Sequence, residues 1–202
     1  FGPYTVGEQT LARDLLAALE PDMLVLADRN FLSHTLARDV LATGGHILWR
    51  ASASFRLDPP HVLADGMYLA ALHPARTADG PPITVRVIEY TIDDSQAPAE
   101  QHYRLITTLL DPEQAPAVEL AQLYAQRWEF ENTLDELKTH QRGAKVVLRS
   151  KSPDGVEQEV WGFLLVHWAI RELMHTAALD GDVDPDRVSF IRTLRLARRT
   201  VT

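Results

Sequence analysis

A chain of 202 residues, 46% of them hydrophobic, can bury one core with an insertion, which excludes a disordered chain. The absence of cysteine excludes a disulfide framework and a thiolate metal site, and no apolar run reaches the length of a membrane span. Acidic residues outnumber basic ones by 28 to 20, for a formal net charge of −8, so nucleic-acid binding would need a local basic track rather than overall charge. No basic, apolar-centred leader opens the sequence, and a cytoplasmic location is expected.

Gly7 to Leu19 mixes apolar and polar residues at helical spacing and ends at Pro21, which predicts a helix. The short apolar run Met23 to Ala27 reads as a buried strand with Asp28 at its C-terminal end. A second helix is predicted from Ser33 to Ala42, with Ser33 as its N-cap and Gly44-Gly45 ending it. From His46 to about Thr108 the pattern changes to β-prone runs: His46 to Trp49, Met67 to Leu72, Ile83 to Ile92 and Tyr103 to Leu109. The turn sequences Asp58-Pro-Pro, Asp65-Gly, Ala78-Asp-Gly-Pro-Pro and Asp93-Asp-Ser separate them.

Asp111-Pro112 opens a helical region whose apolar positions Leu120, Leu123, Trp128, Leu134 and Leu137 can pack on a sheet. After a loop from Ser150 to Gly155, a long helix is predicted over Glu159 to Ala178, and a last one from Asp184-Pro185. Trp49 reads as a sheet anchor, with base stacking the alternative. His167 and His175 lack the companions of a zinc motif and read as structural.

The segment Tyr124-Ala-Gln-Arg127-Trp-Glu-Phe-Glu131-Asn-Thr-Leu-Asp-Glu-Leu-Lys138 carries the densest chemistry. On one regular helix, turning about 100° per residue, Tyr124, Arg127, Glu131 and Lys138 fall within roughly 60° of one another. A carboxylate beside two cations and a phenol suits metal-assisted chemistry on a phosphodiester: the carboxylate holds a hard cation and the cations grip phosphates. Taken singly, each residue also has a plain reading, with Asp28 capping a strand-to-loop turn and Glu131 and Lys138 solvated. Glu129, Asp135 and Glu136 point off that face and read as solvated. Basic residues gather late, at Arg142, Lys145, Arg149 and Lys151 and again at Arg187, Arg192, Arg195, Arg198 and Arg199, as a phosphate track or as solvated helix faces.

The pattern Y-x2-R-x3-E-x6-K resembles the signature of DDE transposases of the YREK type, the insertion-sequence-four group. Met23 to Phe31 resembles the strand ending in that family's second catalytic aspartate, and Tyr103 to Asp111 the strand before the signature helix. Leu148 to Gly155 and Glu159 to Arg171 are similar to its C-terminal segment. The resemblance implies an α/β fold: a ribonuclease-H-like core over 1–45 and 101–150 with its N-terminal strands missing, a β-rich insertion over 46–100, and a helical C-terminal region over 151–202.

It further implies cleavage and strand transfer at insertion-sequence ends by two-metal phosphoryl transfer. Asp28 and Glu131 would be catalytic residues and ligands of Mg²⁺ or Mn²⁺, converging on one open acidic pocket. Tyr124, Arg127 and Lys138 would contact DNA, the partners being double-stranded transposon ends and a second copy of the chain in the DNA complex. The family's first catalytic aspartate has no counterpart here, because Asp14 and Asp22 lie too close to Asp28. The expectation is therefore a fragment inactive alone, the alternative being a remnant that only binds DNA or protein.

Overall fold

The computed structural model describes residues 5–52, 55, 61–63, 65–92, 101–143 and 147–200; the expected turns at Asp58-Pro-Pro and Asp93-Asp-Ser, and Lys145, lie outside them. The predicted first helix is α1 (Glu8–Asp14), which tightens into a 3₁₀ turn over Leu16–Ala18 as Pro21 approaches. Strand β1 (Leu24–Ala27) follows. The Ser33 hydroxyl accepts the Leu36 N–H at 3.2 Å and starts α2 (His34–Ala42). Gly44, at φ +84°, turns the chain back into β2 (His46–Ala51), where a Cβ would also crowd Pro21 at 3.2 Å.

β1, α2 and β2 form a βαβ unit, with β2 parallel to β1 from Leu24 opposite His46 to Ala27 opposite Trp49. β2 then pairs antiparallel with β6 (Gln101–Thr107), β6 with β5 (Ile83–Ile92), β5 with β4 (Tyr68–Leu72) and β4 with β3 (His61–Val62). The sheet order is β1-β2-β6-β5-β4-β3. The β-prone runs from His46 onward thus continue the sheet that holds β1, and the pairing changes from parallel to antiparallel after β2.

Period-two alternation gives the sheet two buried faces. Ile47, Trp49, Val85, Val87 and Ile106 pack under Leu36, Ala37 and Val40 of α2. Leu48, Ile88 and Leu105 face the other way, against Leu120 and Tyr124 of α3 (Ala117–Ala125). Trp49 is 1% exposed, a core anchor and not a platform for a base. The helical region at Asp111 begins with a turn, in which the Asp111 carboxylate accepts from the Glu113 amide and the Gln114 side chain, and α3 follows only after Pro116.

On β5, burial alone would raise the Glu89 carboxyl, but hydrogen bonds from Arg104 and the Tyr68 hydroxyl outweigh it and hold the pKa below the usual glutamate value. A depressed pKa contributes stability above the unfolded value that is lost as pH falls through the folded one. Glu89→Gln is therefore expected to melt below the wild type at neutral pH, with the gap closing below about pH 4. Thermal melts at several pH values check this, and a constant gap would contradict it.

The chain divides into two units, Phe1–Arg127 and Trp128–Thr202. In the second, α5 (Pro153–Asp180) starts six residues earlier than predicted, because Ser152 caps the Gly155 amide and Pro153 suits the first helical position. Its Ile170 and Met174 pack against Phe190 and Leu194 of α6 (Phe190–Thr200), which follows a 3₁₀ turn capped by Asp184. The described fold is mixed α/β, with helices C-terminal to a six-stranded mixed sheet. No described helix is long and apolar enough to cross a membrane.

Candidate active site

Asp28 stands immediately after β1. Its Oδ1 accepts the Asn30 N–H at 2.8 Å and caps the 3₁₀ turn Arg29–Phe31. The capping role is real but uses one oxygen, and no described residue hydrogen-bonds the other. The peptide before Asp28 is fixed as well, since the Tyr124 hydroxyl donates to the Ala27 carbonyl at 3.2 Å.

Tyr124 is 3% exposed, so the signature tyrosine braces the strand end that carries Asp28. Burial raises the Tyr124 pKa, with the neighbouring Arg127 opposing, and keeps the phenol a neutral donor. The Arg127 guanidinium lies over the Tyr124 ring at 5.4 Å from its centroid. Asp28, Tyr124 and Arg127 are thus gathered within the first unit.

Arg50 joins them, a residue the sequence reading passed over. The β1–β2 register ends with Ala27 opposite Trp49, so Asp28 and Arg50 are the residues that follow the last pair. Its guanidinium sits 4.4 Å from the Tyr103 ring centroid, and Tyr103 stacks on Tyr90 at 5.3 Å and 11°. Arg50, like Arg127, opposes the rise that burial imposes on the Tyr124 pKa, and the Asp28 carboxylate adds to it. The sequence signal was the alternation that puts Arg50 on the face of Leu48, but its neighbour across the sheet depends on pairing that no local pattern encodes.

Glu131 and Lys138 belong to the second unit, Glu131 half-buried on α4 (Arg127–Asp135) and Lys138 exposed on the segment after it. The signature is not one regular α-helix. α3 ends at Ala125, and Glu136–Gln141 is a π-turn in which the Arg142 N–H reaches the Leu137 carbonyl five residues back, at 3.1 Å. A wider turn advances each residue by less than 100°, so the regular geometry that the 60° expectation assumes does not extend to Lys138.

Glu136, expected to be solvated, has a side chain only 14% exposed. Its Oε2 accepts from His167 Nε2 at 2.8 Å and from Arg171 Nε at 3.0 Å. The structural reading of His167 is met by this bond and by its ring contact with Phe190.

Carboxylate oxygens without thiolate or clustered imidazole suit a hard divalent cation, and the second oxygen of Asp28 fits a monodentate ligand. Among the described residues no three His, Asp or Glu side chains gather where they could hold a metal.

The family model described as Transposase DDE domain matches residues 1–169. The transposase InsG for insertion sequence element IS4 of Escherichia coli strain K12 is 29% identical over 184 residues, covering 86% of this chain and 40% of that protein. The chain therefore spans about two-fifths of the length of that relative. Transposase DDE domains have a ribonuclease-H-like fold and generally use divalent metal ions. With a strand-end aspartate braced by the signature tyrosine, and a match over residues 1–169 of its 202, this chain belongs to the transposase DDE domain family.

Proposed function

We propose that this chain is the C-terminal catalytic part of a YREK-type insertion-sequence transposase, which cleaves double-stranded DNA at transposon ends and joins it to a target by two-metal phosphoryl transfer. The observation that carries the reading is Asp28 at the end of β1, the peptide before it braced by Tyr124, whose ring lies under Arg127. Asp28 and Glu131 would hold Mg²⁺ or Mn²⁺. When bound, these ions activate an attacking hydroxyl and stabilise the leaving oxygen of an in-line displacement.

The protein's own contribution is to grip and orient. Arg127 lies over the Tyr124 ring and Arg50 over the Tyr103 ring, and each guanidinium suits a phosphate contact. Lys138, exposed on the segment after α4, adds a further contact. In this reading Tyr124 orients Asp28 and shapes the platform under Arg127, and a second copy of the chain takes part in the DNA complex.

The first carboxylate of the family's three has no counterpart in this sequence, so the isolated chain is expected to bind end-containing duplex without cutting it. The measurement is a cleavage assay with Mg²⁺ beside binding titrations at two salt concentrations. Salt-sensitive binding without cleavage is the expected result. Metal-dependent cleavage by the isolated chain would overturn the missing-aspartate reading, and binding indifferent to salt would overturn the assignment of the cations.

A further inference from the structure

The segment Glu136-Leu-Lys-Thr-His-Gln141 contains good α-helix formers, yet it adopts a π-turn, a geometry that local propensity does not favour. Something outside the segment must hold it. Both ends are pinned to other helices of the second unit. At the first residue, the Glu136 carboxylate accepts from His167 and Arg171 of α5, charge-assisted bonds largely shielded from water. At the last, the buried Gln141 donates from Nε2 to the Phe163 carbonyl at 2.8 Å, and its own carbonyl accepts from Arg198 of α6 at 2.7 Å.

Lys138 lies between the pins, exposed, with no hydrogen bond or ion pair to a described residue. If the α-helix ran on past Asp135, Lys138 would rotate by several tens of degrees about the axis. We propose that Glu136 and Gln141 are positioning residues for DNA binding, locking the π-turn so that it fixes the direction in which Lys138 meets a phosphate. This rests on the proposed phosphate role of Lys138. The sign of its consequence is distinctive: Glu136→Ala removes a negative charge, and charge alone would tighten DNA binding, whereas release of the π-turn weakens it.

The experiment uses the 202-residue chain and a short generic duplex, because phosphate contacts do not depend on sequence. The slope of log affinity against log salt is measured for wild type, Lys138→Ala, Glu136→Ala, Gln141→Ala, and the last two combined with Lys138→Ala. Loss of one phosphate contact lowers the slope by about 0.9. Lys138→Ala is expected to lose about that much, and Glu136→Ala and Gln141→Ala part or all of it, though neither removes a cation. In the Lys138→Ala background both are expected to change nothing further.

An unchanged or tighter Glu136→Ala and an unchanged Gln141→Ala would overturn the inference, as would equal losses with and without Lys138, the mark of general damage. If Lys138→Ala itself leaves the slope unchanged, the phosphate role of Lys138 fails and takes the inference with it. Gln141→Ala serves as the second arm if Glu136→Ala does not fold.

Discussion

Asp65→Ala is expected to destabilise the first unit by about 3 kcal/mol, far more than a residue on a turn usually costs. The reason lies in its partner. Arg86 is fully buried on β5, and its guanidinium reaches Asp65 at 2.5 Å and the Ala115 carbonyl at 2.6 Å. Asp65 is 27% exposed, and by itself it would be replaced at little cost. Without it, a fully buried cation keeps one neutral acceptor among the described residues, and its Nε already has no partner.

Because the penalty comes from the stranded charge, removing that charge should relieve it. Asp65→Ala combined with Arg86→Met is expected to be more stable than Asp65→Ala alone, since methionine fills the space without a cation to desolvate. Urea unfolding of the three proteins measures this. An Asp65→Ala variant within about 0.5 kcal/mol of wild type would show that Arg86 is satisfied elsewhere.

What the sequence revealed of this fold was local. Ile83 to Ile92 was bounded correctly because β-prone residues run between turn residues, and Ser33 was read as a cap because its hydroxyl sits just before a helical run. The place of Asp28 at the end of a strand is legible because an apolar run stops there, while its candidacy as a ligand rests on the resemblance. Contacts between distant segments were not readable. Arg50 sits inside the apolar run Ile-Leu-Trp-Arg-Ala, and nothing in that run says that β1 lies beside it in parallel.

The π-turn was hidden for the same reason. Its sequence favours α-helix, and the bonds that alter it come from His167, 31 residues away from Glu136, and from Arg198, 57 away from Gln141. Glu136 reads as solvated from its acidic neighbours alone, since its partners on α5 lie 31 and 35 residues away. Tyr124 shows the mixed case. Its place in the signature was evident, but its burial and its bond to the Ala27 carbonyl appear only once α3 packs on the sheet.

Asp28 has two roles on offer, cap and metal ligand, and one substitution separates them. Asn caps a turn about as well as Asp, so Asp28→Asn should keep the bond from the Asn30 amide and cost at most a few tenths of a kcal/mol in stability. As a hard-metal ligand, however, a neutral amide is a poor replacement for a carboxylate. In a transposase carrying this segment together with a first carboxylate, Asp28→Asn and Glu131→Gln are each expected to lower Mg²⁺-dependent end cleavage by on the order of 10³-fold or more, since metal charge stabilisation is worth several kcal/mol and each 1.4 kcal/mol is tenfold. DNA binding should stay or tighten slightly, because each change removes a negative charge near phosphates. Arg127→Ala should do the reverse, weakening binding and lowering its salt slope by about 1 through the lost phosphate contact. Cleavage assays, binding titrations and melts on the same three variants resolve the roles: an Asp28→Asn protein that still cleaves at the wild-type rate would leave Asp28 as a cap and nothing more.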